Sequence, residues 1–463
     1  MRRRGAFMDF FFKRFFMPKR RVRPSQPSIV PVETVIEKLT PEGRGMAHIH
    51  GKVTFIDYAL AGEQVIFQYT RSSSKFDEGR AVEILQASAD RAQPLCAHFG
   101  LCGGCSLQHM SAEAQIAAKQ QAMLDQLQHM AGVQPVEILP PLRGPLWGYR
   151  HKARLGVKFV FKKNKVLVGF REKAESLLAD LSHCKVLHPS VGEKLEDLGV
   201  LIMGMAARST IPQIEVAVSD TVTALVFRHL EVLTEDDQKK LIEFAQINNF
   251  YIYLQPGGAN SVHPLWPVQP PALQYRLERH NITIEFAASD FTQVNPDINQ
   301  QMLDRALQLL DLKENEKVLD LFCGLGNFTL PMARLAAHVT GVEGSVEMVV
   351  KARSNARLNN IENVEFHAAD LSVDLIAYPW LNNQYDKILL DPPRTGAMSM
   401  LKYLGKLGAT RIVYVSCNPA TLARDAQVLV NEYGYKLAAA GVMDMFPHTA
   451  HVESIAVFDK KKR

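Results

Sequence analysis

From about residue 297 the sequence alternates helical segments with short apolar runs, and this alternation constrains the fold more than any other feature. The runs Lys317–Phe322, His338–Glu343, Val364–Ala368, Lys387–Asp391 and Arg411–Ser416 read as strands, and Ser454-Ile455-Ala456-Val457-Phe458 closes the series. Strands separated by helices need crossover connections, which build a parallel sheet covered on both faces. The expected fold class is therefore α/β, with a doubly wound sheet whose ligands sit at the carboxyl ends of its strands.

The first strand runs into Cys323-Gly324-Leu325-Gly326-Asn327-Phe328. Glycines in a strand-to-helix turn let the backbone approach a ligand without a Cβ clash. Position 329 is Thr, so the third glycine of a dinucleotide fingerprint is missing. Glu343 ends the next strand, 19 residues after Gly324, where a carboxylate can bind both ribose hydroxyls. Asp370 ends the third strand region, facing the expected place of an adenine edge. An acidic ribose ligand without the triple glycine favours S-adenosylmethionine over NAD; the plain alternative is a generic Rossmann turn.

Tyr414-Val415-Ser416-Cys417-Asn418-Pro419 sets a thiol directly after a parallel strand. An isolated cysteine is usually a core residue, but Asn-Pro forces a turn here and directs the thiol to the cleft. Asp391-Pro392-Pro393-Arg394 follows the neighbouring strand. It differs from the Asp-Pro-Pro-Tyr of amino-methylating enzymes in carrying Arg394. Near the end, His451 and Glu453 alternate by two and are expected on one side of an extended segment. The bland reading of Glu453 is a solvent-facing acid. Thiol, methyl donor and base fit methylation of a pyrimidine at carbon 5. A thiolate adding to carbon 6 makes carbon 5 nucleophilic, and a base then removes its proton. Cys417 is the candidate nucleophile and Glu453 the candidate base.

These stretches, with Asp290-Phe291-Thr292-Gln293-Val294-Asn295, resemble the bacterial RNA uracil-5-methyltransferases that use S-adenosylmethionine. The resemblance implies Cys417 as nucleophile and Glu453 as proton acceptor. It implies cofactor contacts at Gln293, Phe322, Asn327, Glu343, Asp370 and Asp391, although some members have Asn at the position of Asp370.

The other cysteines carry a second signal. Cys96, Cys102 and Cys105 cluster, and Cys184 comes later beside His183. Three clustered thiols and a distant fourth make a ligand set for iron–sulfur or zinc, and the irregular spacing leans towards a cluster. The family subgroup acting on large-subunit ribosomal RNA carries a four-iron, [4Fe-4S], cluster at such spacings. Its chemistry needs no electron exchange, so a structural role is expected. Short strands between Val32 and Ala87 suggest a small barrel, and Ile36-Glu37-Lys38-Leu39 with Glu42–Ala47 looks like the TRAM module of that subgroup.

The implied organisation is a basic tail and linker (1–28), a TRAM-like β-barrel (29–88), a central iron–sulfur and RNA-contacting domain (89–290) and a Rossmann-like methyltransferase domain (291–463). A helix at 111–131, with Ser111 as N-cap, is expected to pack on the catalytic part. The implied partner is a flipped-out or single-stranded uridine of 23S ribosomal RNA, at the equivalent of uracil-1939, met by a cytoplasmic monomer.

Charge fits a polyanionic partner. The net +5 conceals +8 in residues 1–24 and +9 in residues 141–173, leaving an acidic remainder. Arg150, Lys152, Arg154, Lys158, Lys162 and Lys163 are either phosphate contacts or a solvated strand face. No apolar run is long enough for a membrane helix, and charges break the Phe-rich stretch of the tail, which argues against a secretory signal. Three other readings stand beside this one: a radical S-adenosylmethionine methylthiotransferase, which needs a cysteine spacing absent here; a non-catalytic RNA-binding protein; and the same chemistry on transfer RNA.

Overall fold

The computed structural model describes residues 30–173, 175–373 and 378–461; the basic tail lies outside the described residues. Two compact units result. One comprises residues up to Lys38 together with Gly45–Ala87, and the other contains Leu39–Arg44 and everything from Ser88 onward.

The first unit is built on a six-stranded, mostly antiparallel sheet, ordered Val32–Val35, Gln64–Ser72, Asp77–Gln86, Lys52–Asp57, Gly45–Ile49 and Lys38–Leu39. Alternating side chains give it a small core of Ile36, Ala47, Ile56, Ala59, Val65 and Phe67.

The second unit holds two large sheets. The central one has six strands, in the order His263–Trp266, Phe250–Gln255, Thr223–Arg228, Gln213–Val218, Lys152–Val160 and Lys165–Gly169. Helices Leu195–Met203 and Glu235–Asn248 share its core. A hairpin, Leu273–Leu277 with Ile282–Phe286, follows.

The C-terminal sheet contains β1 (Lys317–Leu321), β2 (His338–Glu343), β3 (Val364–Ala368), β4 (Lys387–Leu390), β5 (Arg411–Ser416), β6 (Tyr435–Met443) and β7 (Glu453–Lys460). Their order is β3-β2-β1-β4-β5-β7-β6, with the short strand Glu137–Ile138 beyond β6. The first five are parallel, and β7 inserts antiparallel between β5 and β6. Both faces of β1, β4 and β5 are covered, so their residues are nearly all buried.

Four helices matter for the site: α1 (Ala112–Ala131), α2 (Pro296–Leu310), α3 (Val346–Leu358) and α4 (Pro419–Asn431). The Ser111 hydroxyl caps α1 by accepting from the Ala114 amide, and Gly132 ends it in a left-handed conformation. The buried face of α1, with Ile116, Met123 and Leu127, shares a core with Leu422, Ala426 and Leu429 of α4 and Val442 of β6. Among the described residues, no helix is long and apolar enough to cross a membrane.

Asn355 of α3 and Asn359, which caps its C-terminus, substitute for a neighbouring strand beside the hairpin. Asn359 Oδ1 accepts from the Thr283 amide at 2.8 Å, and its Nδ2 donates to the Thr283 carbonyl at 2.7 Å. One turn earlier, Asn355 pairs in the same way with both backbone groups of Glu285. The free edge of Ile282–Phe286 is thereby satisfied without another strand.

Candidate active site

Strand β1 ends one residue earlier than the sequence pattern predicts, because Phe322 leaves the extended conformation at φ +69°. Its amide and that of Cys323 both donate to the Val342 carbonyl, a bulge that turns the chain out of the sheet. Gly324 (φ +54°) and Gly326 (φ +94°) complete the turn in the left-handed region. For Phe322 that conformation costs on the order of 1–3 kcal/mol, the kind of backbone strain that gathers at ligand sites. A Cβ at Gly324 would touch nothing within 4 Å, so glycine is needed there for its backbone conformation.

The half-buried carboxylate of Glu343 faces this turn, accepting from the Gly324 amide at 3.1 Å and the Ser345 amide at 3.0 Å. Asn327 is locked by partners that pattern reading did not find. Its amide exchanges two hydrogen bonds with Asn299 of α2, and its Oδ1 also accepts from the Tyr275 hydroxyl of the hairpin. Asn355 Nδ2 donates to the Leu325 carbonyl inside the turn. No motif marks Tyr275, Asn299 or Asn355, since each acts through a fold contact 28 to 52 residues away in sequence.

Gln293 is half-buried in a tethered segment. The Val294 carbonyl accepts from the His151 amide, Asn295 caps α2, and Asp290 pairs with Lys351 at 2.5 Å. Asp370 lies two residues beyond β3 and is exposed. The Ser372 hydroxyl and amide both donate to its Oδ1 and hold its carboxyl below the usual range.

Cys417 and Glu453 meet through strand register. Ser416 of β5 pairs with Ser454 of β7 in antiparallel alignment, so one step further on Cys417 stands opposite Glu453. Asn418 then caps α4, with Pro419 in its first turn, which leaves Cys417 half-buried at the junction of strand and helix. Asp391 follows β4 and is half-buried; its amide donates to the Leu321 carbonyl, bringing it beside the cofactor turn.

A cleft of about 480 Å³ opens at this junction, lined by Gly103, Gly104, Ser106, Arg394, Cys417 and His451 among others. Burial pushes Asp391 up to about 7 and Glu453 well above the carboxylate range, with Asp391 adding to the rise at Glu453 and Arg394 opposing it. The bland reading of Glu453 fails, since only 6% of it is exposed. His451 precedes β7, is exposed, and its Nδ1 lies 3.2 Å from Arg394 Nη2, the same guanidinium that opposes the rise at Glu453.

Cys96, Cys102, Cys105 and Cys184 are all free and half-buried. They neighbour one another closely enough to interact electrostatically. Burial raises Cys102 to about 11 and Cys105 to about 12, and Cys184 and Cys96 add to both. Polar groups already face the sulfurs. Gly104 donates its amide to Cys102 Sγ at 3.4 Å, the Val186 and Leu187 amides face Cys184, and the Gln108 side chain bonds Cys105. Against the expected ligand set, no three His, Cys, Asp or Glu side chains among the described residues converge to hold a metal ion.

Several residues of the basic segment have partners within the protein. Lys152 donates to the Ala288 carbonyl, and burial lowers it to about 8. Arg154 pairs with Glu215, and Lys163 and Lys165 share Asp180. Lys158 and Lys162 are exposed.

Residues 272–462 match the family model described as tRNA (Uracil-5-)-methyltransferase. The 23S rRNA (uracil(1939)-C(5))-methyltransferase RlmD of Alcanivorax borkumensis is 53% identical over 96% of this chain and 99% of its own length. The enzyme of the same name from Methylococcus capsulatus is 51% identical over 96% and 99%. Among solved structures, the Pyrococcus abyssi tRNA (uracil-54, C5)-methyltransferase in complex with S-adenosyl-L-homocysteine aligns with TM-score 0.70 at 23% identity, covering 92% of this chain and 99% of that one. That likeness establishes a common fold. The near-full-length identity to the bacterial enzymes establishes more: this chain belongs to the RNA uracil-5-methyltransferase family and groups with its RlmD members.

Proposed function

We propose that this chain methylates carbon 5 of one uridine in 23S ribosomal RNA, at the equivalent of uracil-1939, using S-adenosylmethionine. The observation that carries the reading is Cys417, one residue past β5, in register opposite Glu453 at the start of β7, with Asp391 between this pair and the end of β1. The residues fit the cofactor: the Glu343 carboxylate faces the turn, as a ribose-binding acid would, and the left-handed glycine turn leaves room at Gly324. Gln293, Phe322, Asn327, Glu343, Asp370 and Asp391 are its proposed contacts. When bound, S-adenosylmethionine supplies an electrophilic methyl group.

The protein's own part is to handle a thiol and a proton. The Cys417 thiolate, its proton lost to solvent beforehand, bonds through Sγ to carbon 6, and the pyrimidine's C5–C6 π electron pair moves towards O4, making carbon 5 nucleophilic. After methylation, Glu453 accepts the proton from carbon 5, the double bond reforms and the Cys417 thiolate leaves. A base inside a duplex or stack cannot be approached in this way, so the target uridine is extruded. Ribosomal RNA as substrate places this work in the cytoplasm.

Cys96, Cys102, Cys105 and Cys184 are proposed to hold a [4Fe-4S] cluster with a structural role. Ligands on separate irons need not converge on one point, as those of a single zinc must. Residues 29–88 are proposed as a TRAM module, presenting a further RNA surface.

The test is a ribosomal RNA fragment carrying 5-fluorouridine at the target, incubated with protein and S-adenosylmethionine. Fluorine cannot leave as a proton does, so a covalent protein–RNA adduct should accumulate and vanish in Cys417→Ala. An adduct that survives Cys417→Ala overturns the assignment. Anaerobic iron and sulfide analysis checks the cluster, and stoichiometric zinc instead would refute it.

A further inference from the structure

Glu453 is not held in place by its own sheet alone. Residues 444–452, between β6 and β7, have no regular secondary structure and are suspended from residues 106–149. Lys119 Nζ donates to Asp444 Oδ1 at 2.7 Å and to the Phe446 carbonyl at 2.9 Å. The Tyr149 hydroxyl donates to the Pro447 carbonyl at 3.0 Å. Gln115 Oε1 accepts from the His448 amide at 2.8 Å, while its Nε2 ties the Leu107 and Met110 carbonyls to the same point. Trp147 stacks on the His448 ring with centroids 4.0 Å apart. His448 itself adopts φ +66°, a conformation its neighbours must sustain.

The last anchor comes from the cysteine-rich loop. The Ser106 and Leu107 amides both donate to the His448 carbonyl at 2.9 Å, and the Ala450 amide donates to Ser106 Oγ at 3.1 Å. Three hydrogen bonds thus join the residues just after Cys105 to those just before Glu453. Ser106 also lines the cleft that contains Cys417. The thiol is placed differently, at the rigid junction of β5 and α4. Loosening residues 444–452 should therefore affect the base and spare the nucleophile.

We propose that Ser106 is a positioning residue for proton removal, fixing His448–Ala450 and through them the distance from the Glu453 carboxyl to carbon 5 of the uracil. This rests on Glu453 being the proton acceptor. Proton transfer needs heavy atoms within about 2.6–3.2 Å, so a small displacement of the base slows that step selectively.

The test compares full-length wild type, Ser106→Ala, Ser106→Thr and Glu453→Gln on the same ribosomal RNA fragment with S-adenosylmethionine. In Ser106→Ala, turnover of ordinary uridine should fall about five- to tenfold, the usual scale for one lost hydrogen bond. Covalent adduct should accumulate on ordinary uridine, while S-adenosylmethionine affinity and the rate of adduct formation with 5-fluorouridine stay at wild-type values. Ser106→Thr, which keeps the hydroxyl, should restore turnover. Unchanged turnover in Ser106→Ala overturns the proposal, as does a loss of adduct formation by the same factor as turnover. If Glu453→Gln fails to accumulate adduct, the assignment of the base falls first, a result separable from any behaviour of Ser106.

Discussion

Burial raises the Cys417 thiol to about 11, with Glu453 and Asp391 adding to the rise and Arg394 opposing it. In the reaction proposed here both Cys417 and Glu453 act without their protons, while burial favours the protonated form of each. The single-turnover rate should therefore climb with pH and still be rising at about pH 9, because rising pH fills the deprotonated forms. Replacing Arg394 with Gln removes the charge that lowers both groups, and should move the limb of that profile alkaline by roughly one pH unit. A profile that stays in place would rule Arg394 out as their electrostatic partner. The thiol could be read from the sequence because Asn418-Pro419 dictates a turn after β5. Glu453 was ambiguous, since an acid heading a strand looks the same whether it faces water or lies beneath a catalytic loop. Tyr275 and Asn299 gave no signal, because their value lies in orienting the amide of Asn327.

At the level of elements, the buried pair Lys119–Asp444 couples α1 to the segment after β6, with 3% and 5% of the two side chains exposed. Burial lowers Lys119, and the Asp444 carboxylate opposes that shift. Lys119→Met alone should cost about 3–5 kcal/mol, because it strands Asp444 uncompensated, whereas Lys119→Met with Asp444→Leu should recover most of that loss. Urea unfolding of the two variants decides; equal losses would mean that the pair does not act as a unit. Elements with strong local signals were legible: α1 through its serine cap and apolar stripe, and β1 to β5 through their apolar runs. The pattern missed β6, Tyr435–Met443, whose Ala438-Ala439-Ala440-Gly441 centre has weak strand propensity. It forms a strand because β7 pairs along it and its core-facing residues are buried, a tertiary cause. The hairpin at 273–286 has no comparable local signal, since much of what stabilises it comes from Asn355 and Asn359.

Across the whole molecule, charge was the least direct guide. The +9 of residues 141–173 is partly offset by Glu215 and Asp180, which pair with exposed cations, while Lys152 is buried against the Ala288 carbonyl. The +8 of residues 1–24 is a separate contribution. Deleting those residues should weaken RNA binding at low salt and flatten the dependence of log K on log salt, by about 0.7 per lost phosphate contact to a single strand. The methylated uridine should stay the same; a shifted target in a mapped digest would show that the tail selects the site. The asparagine pair on α3 also sets an order of assembly. Strand Ile282–Phe286 finds part of its partner in side chains made some seventy residues later in synthesis. Until that helix has coiled, one edge of the hairpin has nothing to pair with, and Asn355 cannot brace the turn at Leu325. The cofactor turn is therefore finished late in folding, and a nascent copy still lacking α3 has no completed pocket with which to grip a nucleotide.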